Sequence, residues 1–232
     1  MASENHLLRV LGPAVIKLLK PHMKAITVEH GDVLHGASSE MEFAYFPMST
    51  IISVLARTDE GQTAETSIVG REGMIGSSAI HGIMTSFAEA IVQVGGEAIR
   101  IPTSEVHRVG RKSEGFRKIV ALFDLSLLAQ SQQSTACQAL HQVESRAARW
   151  LLQCSRRLGS NDIRLTQDFF GQMLGVQRTT INAVERTLQD AGLVKIGRGR
   201  IAIVDLKGLH AVACDCYDRI ERRYEELLGP LD

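Results

Sequence analysis

Leu7, Leu8, Leu11, Val15, Leu18 and Leu19 recur at helical spacing, so residues 6–24 read as helix, divided into two short pieces by Gly12 and Pro13. From Ile26 the period changes. AITVEH, AYFPMSTIISVLAR, TAETSIV, AEAIVQV and EAIRIP are short runs bounded by HGD, TDEG, GREG and GG. Many short strands with Gly-rich corners predict a small antiparallel β-roll over residues 26–102. From Ser104 the helical period returns, and Phe116, Val120, Phe123, Leu127 and Leu128 form a stripe that dissolves into QSQQST. That stripe predicts a subunit seam, with a helix covering its own roll as the competing reading. The pattern resets around Ala139–His141. Val143, Ala147, Trp150, Leu151, Cys154 and Leu158 then mark another helix, ended by GSND, with Trp150 in the core.

The next segment, RLTQDFFGQMLG, offers Thr166 as an N-cap ahead of Phe169, Phe170, Met173 and Leu174. Gly175 breaks that helix and a second begins near Gln177, which is helix-turn-helix spacing. Ile181, Val184 and Leu188 face inward at i, i+3 and i+7. Gln177, Arg178, Thr179, Asn182 and one of Glu185 or Arg186 are left outside. Val194 and Ile196, a turn at Gly197–Gly199, then Ile201 and Ile203 read as a hairpin with Arg198 and Arg200 near its tip. Cap, break, exposed polar turn and basic hairpin together predict a winged helix-turn-helix. Gln177, Arg178, Thr179 and Asn182 are the candidates for base edges. Thr166, Thr180, Arg186, Arg198 and Arg200 are the candidates for phosphates.

Composition adds limits. The 232 residues are 44% apolar with zero formal net charge, so the chain can build real cores and no global field marks the partner. Charge is uneven, however: between His141 and Gly208, Arg and Lys outnumber Asp and Glu. The N-terminus lacks the layout of a signal peptide, no apolar run is long enough for a membrane, and the four cysteines form no secreted framework. These features predict a cytoplasmic protein with no membrane partner. Neither a Walker loop nor a clustered His pair is present, which argues against an enzyme.

HQVESRAARWLL, RLTQDFFGQMLGVQRTTINAVERTLQDAGLV and the glycine turn VGREGMIG resemble the Crp/Fnr-type regulators, the cyclic-nucleotide-receptor and fumarate-nitrate family, over residues 7–210. The resemblance implies an α+β architecture. An N-terminal double-stranded β-helix (jelly-roll, cyclic-nucleotide-binding-like) would occupy 1–112, a dimerisation helix 113–138 and a winged helix-turn-helix 139–232. It also implies a homodimer on a near-palindromic double-stranded operator, in contact with RNA polymerase, with Arg178 at the family's major-groove arginine. Departures matter as much. Thr179 stands where many members have a glutamate, and a hydroxyl replaces a carboxylate in neither geometry nor charge. Ser77, Ser86 and Phe87 replace the residues that hold ribose and cyclic phosphate, while Ser131 and Gln132 stand where adenine contacts fall. This degenerate effector pocket has no arginine for a buried phosphate, so cyclic AMP is not expected.

Phe87 is expected to pack in the roll. No cysteine precedes Cys137, so an N-terminal iron–sulfur cluster has no ligands. Cys214 and Cys216, with His210 nearby, are too few for a closed zinc site unaided, and no metal or cofactor is expected. The competing reading for function is an interaction or small-ligand-sensing protein that uses the winged helix structurally.

Overall fold

The computed structural model describes residues 4–231. Helices α1 (His6–Val10) and α2 (Gly12–Leu19) bury Leu7, Leu8, Val15 and Leu19 against the roll. Asn5 caps α1 through its side-chain oxygen, and its amide donates to Pro47 O and Gly73 O. The helical pair is therefore pinned to the sheet by a buried, fully used polar group.

The roll contains two antiparallel sheets. β1 (Lys24–Val28), β7 (Gly96–Pro102) and β3 (Phe43–Pro47) form one, in the order β1-β7-β3. The other has the order β2-β6-β4-β5, from β2 (Val33–His35), β6 (Glu89–Val94), β4 (Ile51–Arg57) and β5 (Thr63–Val69). The single run expected over AYFPMSTIISVLAR is thus two strands on different sheets. Pro47 ends the first, and the chain crosses to the second sheet before Ile51.

After α3 (Thr103–Lys112), Ser113 caps the long helix α4 (Glu114–Leu140), accepting from Phe116 N at 3.1 Å. The expected seam needs correction. Phe116, Val120 and Phe123 are buried in the chain's own core, so the competing reading holds for them. Gly73 shows why: a Cβ there would lie 2.1 Å from the Phe123 ring, so the glycine turn makes room for α4. Gln130, on the same face, donates to Ile68 O and accepts from Ile68 N, both at 3.2 Å, and so covers the β5 edge. The open face is the adjacent one, where Ala121, Leu125, Leu128, Gln132 and Thr135 are exposed at alternating steps of four and three. That is heptad spacing.

Beyond the break at His141, α5 (Val143–Leu158) centres a second core around Trp150, and α9 (Cys216–Leu228) returns along α4. Tyr224, Leu228 and Leu231 join the core of the roll, a return that hydrophobic period alone does not announce. Arg157 of α5 is buried between Glu72 of the roll (2.9 Å) and Glu221 of α9 (2.7 Å). Desolvation opposes its charge, but the two carboxylates outweigh it and its pKa rises.

Nearby, Trp150 Nε1 donates to Glu65 Oε1 at 2.8 Å and Ser53 Oγ to Glu65 Oε2 at 2.6 Å. Glu65 keeps some solvent contact as a residue, yet its carboxyl end is enclosed, and desolvation pushes its pKa up to about 7. A folded-state pKa above the ordinary 4.5 means the unfolded chain releases this proton first. Stability therefore declines as pH rises from 4.5 to about 7 and levels off above. Glu65→Gln keeps the acceptor for Trp150 and should remove that slope, gaining about 1–3 kcal/mol at pH 8. Thermal melts of both chains across this range test it; parallel slopes would contradict the assignment.

Candidate nucleic-acid interface

Thr166 adopts extended backbone and caps α6 (Gln167–Leu174), accepting from Phe169 N at 3.5 Å. Phe170, Met173 and Leu174 are buried beneath it. Gly175, at φ 65°, closes the helix in the left-handed region, and its N–H donates to Gln172 O at 3.1 Å. Val176 N donates to Gly171 O at 2.9 Å, so the turn between the helices is tied to the first of them.

The second helix, α7 (Arg178–Asp190), follows Gln177 as N-cap and buries Ile181, Val184 and Leu188. Gln177, Arg178, Thr179, Asn182 and Arg186 are exposed, and Thr180 is half-buried. Glu185 is inside, its carboxylate receiving Gln167 Nε2, and burial raises its pKa. Of the two alternatives for the outer face, Arg186 is therefore the one there. The first turn of α7 contains no acidic residue and Gln177 makes no side-chain cap bond. Its leading amide N–H groups and the positive helix end stay available to an anion.

The hairpin β9 (Val194–Gly197) and β10 (Arg200–Ile203) stands beside these helices. A short third strand, β8 (Asp162–Ile163), pairs with β10; a two-residue strand carries no periodicity to read. Ile196 N donates to Gln189 Oε1 at 3.0 Å, and Leu165 N to Gly199 O at 3.1 Å, so α7 and the segment before α6 both hold the hairpin. Thr166, Asp168, Arg178, Arg198 and Arg200 consequently line one groove of about 260 Å³. Arg178 lies 3.4 Å from Asp168, with both side chains about two-thirds exposed. Such a pair contributes about 0–1 kcal/mol, so Arg178 is easily recruited elsewhere. Arg200 is held by Asp162, whereas Arg198 has no ion pair among the described residues.

The effector candidates separate. Ser77, Ser86 and Phe87 line a cleft of about 170 Å³ with His35, Met74 and Leu127, and no Arg or Lys is among its lining. Ser86 Oγ is committed to Ala88 O at 2.7 Å, and burial raises the pKa of Asp124 behind Ser77. Phe87 is 81% exposed at the cleft, which corrects its expected place inside the roll. Ser131 and Gln132 do not line this cleft; Gln132 faces a groove with Arg219 and Arg223 between α4 and α9. The thiols also group differently from the sequence reading. His210 pairs with Asp218 at 2.8 Å, and Cys214 and Cys216 meet Cys137 and His141 instead. Sequence distance hid that meeting, because it depends on the path of α9.

Residues 145–212 match the family model of the Crp-like helix-turn-helix domain. FixK2 from Bradyrhizobium japonicum superposes with a TM-score of 0.70 at 13% identity, over 83% of this chain and 98% of that one. The transcriptional regulator TTHA1359 of the Crp/Fnr family, from Thermus thermophilus, gives 0.63 at 22% identity over 82% and 98%. The c-di-GMP responsive global regulator CLP from Xanthomonas campestris gives 0.64 at 14% identity over 83% and 99%. At these identities the likeness is one of fold. No curated protein matches the sequence.

Proposed function

We infer that this chain, a Crp/Fnr-type protein by its Crp-like helix-turn-helix domain and by the fold of its described length, is a DNA-binding transcription regulator that acts as a homodimer. It is not an enzyme. No helix among the described residues is long and apolar enough to cross a membrane. The observation that carries the reading is the acid-free, exposed front of α7, flanked in one groove by the α6 cap and the basic hairpin tip.

In this reading α7 enters the major groove. Arg178 forks to guanine O6 and N7, and Gln177, Thr179 and Asn182 face neighbouring base edges. Thr166, Thr180, Arg186 and Arg198 contact phosphate, and Arg200 does so on leaving Asp162. Residues 1–112 form the sensor, 113–138 the pairing helix and 139–232 the DNA-reading part. The exposed heptad face of α4, centred on Leu125 and Leu128, meets its symmetry mate. The roll's cleft, lined by no Arg or Lys, is unsuited to a cyclic phosphate.

Binding should weaken steeply with salt, because several phosphates are neutralised. In gel-shift titrations on a selected operator, Arg178→Ala should cost about 1–3 kcal/mol of preference for that site and leave the fold intact. Arg198→Ala should weaken binding to all sequences alike and lower the salt slope by about one. A change of under about twofold for Arg178→Ala would remove this side chain from base readout. Leu128→Asp, placing two like charges face to face at the seam, should shift sedimentation toward monomer while the circular dichroism stays unchanged.

A further inference from the structure

Cys137, Cys214 and Cys216 are buried together, outside both large apolar cores. Cys137 is in the last turn of α4 and His141 caps that helix one turn later. Cys214 lies between α8 (Leu206–Val212) and α9, and Cys216, beyond the N-cap Asp215, opens α9. One donor atom from each of the four residues lies within 4.8 Å of the others. Cys137 Sγ is 3.4 Å from Cys214 Sγ, and Cys216 Sγ is 3.4 Å from His141 Nδ1. A tetrahedral ion with metal–sulfur bonds of about 2.3 Å sets its sulfur donors about 3.8 Å apart. The four groups thus sit within about an ångström of tetrahedral closure.

We propose that Cys137, His141, Cys214 and Cys216 form a closed Cys3His site for a zinc(II) ion that clamps the end of the dimer helix to the C-terminal helix. Thiolate and imidazole donors select a soft or borderline metal and disfavour magnesium or calcium. Four protein ligands leave no open position, which marks a structural ion, not a catalytic one. A multi-iron cluster distributes its thiolates over separate metal atoms and requires wider spacing than this.

The surroundings fit the same ion. His141 turns Nδ1 toward Cys216 Sγ and leaves Nε2 on the side of Asp215 Oδ1, 3.8 Å away, where a metal-bound histidine commonly has a carboxylate. Gln133 Nε2 lies 3.1 Å from Cys216 Sγ and donates to it. Three thiolates about a dication leave one negative charge. Arg146 and Arg149 of α5 are buried, and the Nε of each has no hydrogen-bond partner, so positive charge is on hand in the same part of the fold. The site also brackets the break at His141, where α4 hands over to α5.

Full-length protein, reduced and stripped with a chelator, should be titrated with Zn(II) and Co(II). The expected result is about one ion per chain, with the absorption of tetrahedral thiolate-bound cobalt that zinc displaces. Cys216→Ser should lower the affinity by at least about tenfold; the cobalt spectrum of the unsubstituted chain stands whether or not that variant folds. A folded, reduced chain that binds neither ion more tightly than about 10 μM overturns the site, as does a Cys137–Cys214 disulfide that persists under reduction and excludes metal. The hinge role rests on the DNA-binding reading and has its own measurement. Operator affinity should fall about tenfold on chelation and return with zinc. Unchanged affinity overturns the clamp, whereas an absence of DNA binding in both states, with the ion count intact, counts against the DNA-binding reading alone.

Discussion

The two-sidedness of α4 is the constraint on which the rest depends. Its inner face, from Phe116 through Gln130, is committed to the roll and to the β5 edge. Its outer face repeats exposed positions at heptad spacing through Leu125 and Leu128. Exposed leucines at heptad spacing favour a second helix laid against them. One cover is the chain itself, and in the proposed function the other is a second copy. The two-fold symmetry that such pairing would create turns one recognition helix into a pair at fixed separation, which would let a short helix specify a DNA site.

The helix-turn-helix part is not a loose appendage. Trp150 reaches Glu65, Arg157 bridges Glu72 and Glu221, and the second core takes Ile51, Leu55, Ile68 and Val94 from the roll. Buried charge pairs of this kind stabilise little in net terms but are costly to break one-sidedly, so they define a discrete arrangement. Arg146 adds a link at the hinge, donating to Gln138 of α4 at 2.6 Å and to Leu174 O at the end of α6. A change in the roll or at the thiol cluster therefore bears directly on how α6 and α7 are held. That is the physical form a two-state coupling would take.

Much of this was legible from local pattern. The cap at Thr166, the break at Gly175, the inward trio Ile181, Val184 and Leu188, and the hairpin around Gly197–Gly199 are each short-range signals with one physical meaning. Failures came where tertiary contact decides. A stripe of apolar residues on α4 does not say which surface it meets, and Phe116 and Phe123 meet the roll. Phe87 has the composition of a core residue in a segment that turns it outward. Ser131 and Gln132 lie a turn of helix away from the cleft that Leu127 reaches. Cys137 and Cys214 stand far apart in sequence and touch only because α9 runs back along α4.

Hydroxyl-radical footprinting of the full-length protein on an operator selected from random sequence tests the central claim most directly. Two copies joined along the outer face of α4 should protect two symmetric patches about one helical turn, roughly 34 Å, apart on the same side of the duplex. A single protected patch, or two on opposite sides, would contradict the account.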